Sequence, residues 1–145
     1  MILSTKGRYG LKAMFVLALQ YGQGPVPLST IAERQSISVN YLEQLFLPLR
    51  KNGLVKSVRG AHGGYMLNDE PSAITVGSIL KTLEGPILAS ECVIEDDSDC
   101  GNASYCVTRL IWEKITDAVD DVIESITLAD MVKDQFTISG IEEGL

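Results

Sequence analysis

The sequence predicts a mainly α-helical chain that carries one small β-hairpin and ends in a long amphipathic helix. Three observations predict it. Apolar residues recur at helical spacing in several separate stretches, two short β-prone runs flank a glycine-rich hexapeptide, and the stretch from Tyr105 to Ile126 keeps its apolar period without a breaker. At 145 residues, 46% hydrophobic and 21% charged, the chain is long enough for one core plus an appended helix and too apolar for disorder.

Ser4 or Thr5 caps an opening helix that runs to about Tyr21, with Leu11, Met14, Phe15, Ala18 and Leu19 on one face. Its first turn, Thr5-Lys6-Gly7-Arg8-Tyr9, offers backbone amides, two cations and a phenol, a natural contact for phosphate. Gln23-Gly24-Pro25-Val26-Pro27 is a loop. Ser29 or Thr30 then caps a short helix, with Glu33 at capping-box spacing from Thr30 and Ile31 and Ala32 on its buried side.

Ser36-Ile37-Ser38 interrupts that helix, and Ser38 caps the next, in which Val39, Leu42, Phe46 and Leu49 form one apolar face. Asn40, Tyr41, Glu43 and Gln44 lie opposite. Amide and hydroxyl groups in the first turns of a helix are what reading base edges in a major groove requires. Pro48 lacks a backbone donor and predicts a kink or a tolerated gap. Asn52-Gly53 stops the helix, and Leu54–Val58 and Tyr65–Leu67 read as strands around Arg59-Gly60-Ala61-His62-Gly63-Gly64. Glycines let the backbone approach a phosphate, and Arg59 is placed to enter a narrow minor groove. Thr75 caps a fourth helix with Val76, Ile79, Leu80 and Leu83 on one face, ended by Gly85-Pro86. Residues 1–85 are therefore expected to form a winged helix-turn-helix that binds double-stranded DNA.

Residues 86–105 have no period and hold acidic residues among cysteines: Cys92, Cys100 and Cys106 follow the pattern C-x7-C-x5-C. Thiolates hold iron–sulfur clusters. Zinc takes thiolates too, but its short C-x2-4-C knuckle is missing. Three unrelated cysteines, one of them oxidisable, would fit the same spacing.

Residues 106–135 are expected to form a dimerisation helix region. Ile111, Ile115, Ala118, Val122 and Ser125/Ile126 alternate in heptad-like steps, and Leu110, Val119 and Ile123 widen the stripe. So little chain remains to cover it that a second copy is the expected partner, the alternative being that the helix folds back on its own domain. Leu128 to Val132 would add one last turn, and residues 136–145 would be a mobile tail.

The net charge of −7 argues at first against a nucleic-acid partner, but its distribution reverses the inference. Residues 1–70 hold eight cationic side chains and four acidic ones, a net of +4, which leaves −11 for the remainder. Such a chain presents one end to phosphate and keeps the other away, although a split of this kind also describes a solvated surface. No stretch has the length and apolarity to span a membrane. Met14–Leu19 after Lys6, Arg8 and Lys12 imitates a signal peptide but is too short and lacks a cleavage site. An odd number of cysteines is not a secreted disulfide framework, so a reducing cytoplasm is expected. The sequence contains no nucleophile–base pair, nucleotide loop or convergent acid–base set, and an enzyme is not expected.

The opening LSTKGRYGLKAM, the block LSTIAERQSISVNYLEQLFLPLRKNGLVKSVRGAHGGYML and the three-cysteine segment together resemble the IscR-type bacterial winged-helix iron–sulfur cluster transcription regulators. Members of this family also sense nitric oxide or cysteine status. The resemblance runs from Met1 to about Ile126. It implies a homodimer crossed by the long helix, with Asn40, Tyr41 and Gln44 at the major groove and Arg59 in the minor groove. Tyr9, Lys56, His62, Gly63 and Gly64 would lie along the DNA backbone. By the same resemblance Glu43 is selective, since a carboxylate accepts from cytosine N4 but repels phosphate.

The resemblance further implies a 2Fe–2S cluster on Cys92, Cys100 and Cys106, with 4Fe–4S as the form found in nitric-oxide-sensing relatives. Relatives that regulate cysteine metabolism lack these thiols. One departure matters: the family's usual fourth ligand, a histidine three residues after the last cysteine, is Arg109 here, which cannot ligate. Carboxylates of Glu43, Glu91, Glu95 or the nearby aspartates are the candidates that remain. The expected function is regulation of iron–sulfur cluster biogenesis genes in response to cluster status. The alternatives are a same-fold sensor of nitric oxide, oxidants or a small molecule, and an iron–sulfur carrier protein.

Overall fold

The computed structural model describes residues 3–90, 93 and 106–140. The element order among them is α1 (Thr5–Leu19), α2 (Leu28–Gln35), α3 (Val39–Lys51), β1 (Val55–Val58), β2 (Gly64–Leu67), a 3-10 turn (Pro71–Ala73), α4 (Val76–Glu84), α5 (Val107–Ser125) and α6 (Leu128–Ser139).

Local chemistry accounts for most of the boundaries. Ser4 caps α1 by accepting from Lys6 N, Ser38 caps α3 by accepting from Tyr41 N, and Thr75 caps α4 by accepting from Ser78 N. The turn between α2 and α3 depends on Ser36, whose φ of 55° is left-handed and lets Ile37 N reach Ala32 O at 3.0 Å. α2 departs from expectation. It begins at Leu28, ahead of Ser29 and Thr30, and has no side-chain cap. Pro27 is already extended, and its carbonyl accepts the first bonds from Thr30 N and Ile31 N, so neither hydroxyl is needed.

α3 turns Leu42, Leu45, Phe46 and Leu49 into the core. Leu45 takes the place expected of Val39, which is 39% exposed while Leu45 is buried. Pro48 does not end the helix, which continues to Lys51. The carbonyl of Pro48 accepts from both the backbone and the side-chain amide of Asn52, which closes the last turn.

β1 and β2 pair antiparallel from Val55↔Leu67 to Val58↔Gly64. Val26, just before α2, adds a third rung by exchanging two 2.8 Å hydrogen bonds with Tyr65. The core gathers one side of each element: Met14 and Leu17 from α1, Ile31 from α2, Phe46 from α3, Val55 and Leu67 from the hairpin, Ile79 from α4 and Leu128 from α6.

The chain after α5 differs from the sequence expectation. The expected last turn at 128–132 is a full helix to Ser139, so Phe136–Ser139 belong to α6, while residues 141–145 of the expected tail lie outside the described residues. Thr127 and Asp130 form a reciprocal capping box that nucleates α6. Val76 N donates to Ile126 O and Leu128 N to Ile74 O, clipping the end of α5 onto the start of α4. α6 packs on α1 and the 3-10 turn, which returns the chain to elements of its N-terminal half.

Candidate nucleic-acid interface and cysteine segment

α3 is bound to the core by its apolar side, which leaves Asn40, Glu43 and Gln44 exposed on the other. Tyr41 behaves differently. It is half-buried, its hydroxyl donates to Thr5 Oγ1 at 3.1 Å, and its ring meets Tyr9 edge-on at 6.1 Å. Tyr9 in turn carries Lys12 Nζ 5.4 Å from its ring centroid. The first turns of α1 and α3 are thereby joined, and Thr5, Lys6, Arg8 and Lys12 of α1 are exposed, as are Asn40 and Gln44 of α3.

The hairpin is coupled to α3 through Phe46 and Tyr65, whose rings lie 4.6 Å apart. Lys56 projects from β1, and Arg59 and His62 are exposed at the tip. The tip turns at Gly60, with φ of 109° and open space around it, and Gly63 N donates back to Gly60 O at 3.0 Å. Gly63 and Gly64 have a reason for being glycine within the protein itself. A Cβ on Gly63 would collide with Val58 O, and one on Gly64 with Val26 O.

Of the three cysteines, Cys92 and Cys100 lie outside the described residues, as do Glu91 and Glu95. Cys106 stands at the N-cap of α5, 2.9 Å from Thr108 Oγ1. The Thr108 hydroxyl first, and the backbone amide of Arg109 next, hold its thiol below the usual range despite some desolvation. That environment favours the thiolate, the form that binds metal, so Cys106 fits the role of a cluster ligand. Arg109 does not: its Nε pairs with Glu113 at 3.2 Å.

α4 and α5 meet through polar groups. Lys81 pairs with Asp120 and, at 3.0 Å, with Glu124, and the Thr75 hydroxyl donates to Glu124 at 3.1 Å. The two carboxylates hold the Lys81 ammonium above its ordinary pKa. Thr116, the buried residue of α5, accepts from Ala89 N. The apolar stripe faces the other way: Leu110 and Val122 are each 56% exposed, and Ile115, Ala118, Val119, Val122 and Ile123 line an open groove of about 350 Å³.

Comparison with known proteins assigns this architecture. The model of the Rrf2 family, described as iron-dependent transcriptional regulators, matches residues 3–134. This chain belongs to the Rrf2 family. It is 50% identical over 131 residues to the HTH-type transcriptional regulator CymR of Bacillus subtilis, which covers 90% of this chain and 89% of that protein. It is 44% identical over 135 residues to the HTH-type transcriptional regulator IscR of Erwinia tasmaniensis, covering 93% and 81%.

Among solved structures, T. potens IscR superposes with a TM-score of 0.80 at 48% identity, covering 99% of this chain and 94% of that one. The structure of CymR, the global cysteine regulator of B. subtilis, superposes at 0.76 with 49% identity, covering 90% and 95%. This Rrf2 protein is a DNA-binding transcription regulator with a winged-helix fold, and its relatives are regulators rather than enzymes. No described helix is long and apolar enough to cross a membrane.

Sequence reasoning missed Glu84. The carboxylate accepts from the Ser4 hydroxyl and, at 2.8 Å, from Gly7 N, so the end of α4 is fastened to the start of α1. Burial pushes its pKa up, but the bonds from Ser4 and Gly7 and the nearby Lys6 outweigh burial and hold it below the usual carboxylate range. Nothing in the pattern of residues 76–84 marks this glutamate as different from a solvated helix terminus.

Proposed function

We propose that this Rrf2 regulator acts in the cytoplasm as a homodimer that places α3 of each copy in successive major grooves of an operator, with Arg59 in the flanking minor groove. Asn40 and Gln44 read base edges, Glu43 rejects sequences that lack a donor, and Tyr41 approaches the groove wall. Tyr9, Lys56, His62, Gly63 and Gly64 follow the phosphate backbone. The observation that carries this reading is the exposed polar edge of α3, set in the cationic half of the chain. The second copy covers the outward stripe of α5, where Leu110, Ile111 and Val122 are exposed.

The same proposal assigns an iron–sulfur cluster to Cys92, Cys100 and Cys106, 2Fe–2S by resemblance. Support comes from the iron-dependent character of the matching family and from the thiolate-favouring cap at Cys106. When bound, such a cluster supplies a state that responds to iron and oxidants. The chain's own part would be to supply Cys106 at the root of α5, from where the state of the cluster would reach the dimer helix. Its targets would be iron–sulfur cluster biogenesis genes. Anaerobic purification followed by absorbance, iron and sulfide assays tests the cluster, and a colourless protein that cannot be reconstituted removes it. Binding to an operator with loaded and emptied thiols tests the switch, and equal affinities remove that part.

A second reading, regulation by cysteine status without a cluster, draws support from the similarity to CymR. The same iron assay separates the two.

A further inference from the structure

A continuous set of contacts joins the end of α4 to the recognition surface. Glu84, the last residue of α4, accepts from Ser4 and Gly7 at the start of α1. One residue beyond Ser4, Thr5 accepts from the Tyr41 hydroxyl, and Tyr9, one turn on, meets the Tyr41 ring. Tyr41 lies in the first turn of α3, between Asn40 and the pair Glu43 and Gln44. The α1–α4 contact is also unusually close. A Cβ on Gly7 would lie 2.7 Å from the Glu84 carboxylate, and one on Gly10 would collide with Leu83. With two glycines removing the side chains that would separate the helices, the carboxylate reaches the amides of α1 directly.

We propose that Glu84 is a positioning residue for DNA binding: by holding the first turn of α1 it sets, through Thr5, Tyr9 and Tyr41, the pose of the base-reading edge of α3. Glu84 need not touch DNA. Its carboxylate also occupies the Gly7 amide in the first turn of α1, a group that an unspecific phosphate would otherwise attract. The opposed effects on the two kinds of duplex follow from this. Losing the carboxylate loosens α3 and weakens sequence-specific binding, while freeing a helix N-terminus and removing a negative charge, which maintains or raises affinity for any duplex. General destabilisation would lower both. The inference rests on α3 being the reading helix.

The experiment compares wild type, Glu84→Ala and Glu84→Gln of the full chain by fluorescence anisotropy on two duplexes. One is selected by the wild-type protein from a random library, the other is unselected. Glu84→Ala should weaken binding to the selected duplex by about 5-fold to 30-fold, the range of coupling between linked sites, with no loss on the unselected one. Glu84→Gln keeps an oxygen that accepts from Gly7 and Ser4 and should retain most of the preference. Equal loss on both duplexes, unchanged preference in Glu84→Ala, or failure of the glutamine to restore it overturns the proposal. Should Glu84→Ala fail to fold, Ser4→Ala, at an exposed position, should lower the preference by about 2-fold to 5-fold, and no change overturns it. Gln44→Ala on the same duplexes separates the failures. If it too leaves the preference intact, the assignment of α3 falls; if it alone reduces it, only the role of Glu84 does.

Discussion

α3 and α5 are both two-sided helices, yet they turn opposite faces toward the body of the protein. α3 buries Leu42, Leu45, Phe46 and Leu49 and shows Asn40, Glu43 and Gln44 to solvent. α5 sets Thr116, Asp120 and Glu124 against its own α4 and segment 85–90, and leaves Ile111, Ile115 and Val122 outside. Water-exposed amides around a rigid core suit a hydrated polyanion, whose base edges are recognised by hydrogen bonds. An outward apolar stripe held in place by polar contacts suits a second protein surface, since only burial makes such a stripe favourable. The same periodicity thus leaves a polar face outside on α3 and an apolar one outside on α5, and the side on which each helix is anchored decides which.

The comparison can be broken or sharpened by substitution. The largest effect is expected at the inner face of α3, where Phe46→Ala should destabilise the fold by about 3–5 kcal/mol in denaturant unfolding; a loss below about 1 kcal/mol would mean the face is not core. Next comes the outer face of α5. In the proposed homodimer Val122→Glu would be present twice in a two-fold interface and should weaken dimerisation by about 2–4 kcal/mol in sedimentation experiments, leaving helix content intact. An unaltered association state would place the dimer contact elsewhere.

On the DNA side, Arg59→Ala should weaken operator binding by about 1–3 kcal/mol, and unchanged affinity would take the hairpin tip out of the interface. The inner, polar side of α5 should matter less. Lys81→Ala removes a pair of partly exposed ion pairs and should cost about 0.2–1 kcal/mol in thermal unfolding. The smallest effect concerns acid. The pKa of Glu84 is lower folded than unfolded, so its contribution is full above the unfolded value and fades as pH falls through the folded one. Glu84→Gln should flatten that acid limb of the stability profile, and an unchanged slope would show that the carboxylate is not held.

Several of these features are legible along the chain because they are local. Ser38 and Thr75 announce their helices through hydroxyls one residue ahead of an apolar period, and both cap as expected. The hairpin is written in two β-prone runs around Gly60, Gly63 and Gly64. Other features are not local. Val39 follows the same apolar spacing as Leu42, yet it is exposed while Leu45 is buried, since which members of a period meet a partner depends on elements distant in sequence. α6 looked like a single turn because its partners, α1 and the 3-10 turn at Pro71–Ala73, lie far away in sequence.

What the amino-acid sequence determined by itself is the kind and order of the elements from α1 to α5, the polar first turn of α3 and the division into a cationic front and an anionic rear. Caps, periods and charges act over one or two turns of chain. Only the tertiary structure decided which flank of α5 faces inward, why Gly7 and Gly10 are glycine, and that Glu84 clasps the start of α1. Those outcomes depend on helices approaching across many intervening residues, where the free energy lies in the fit between surfaces and not in any one segment.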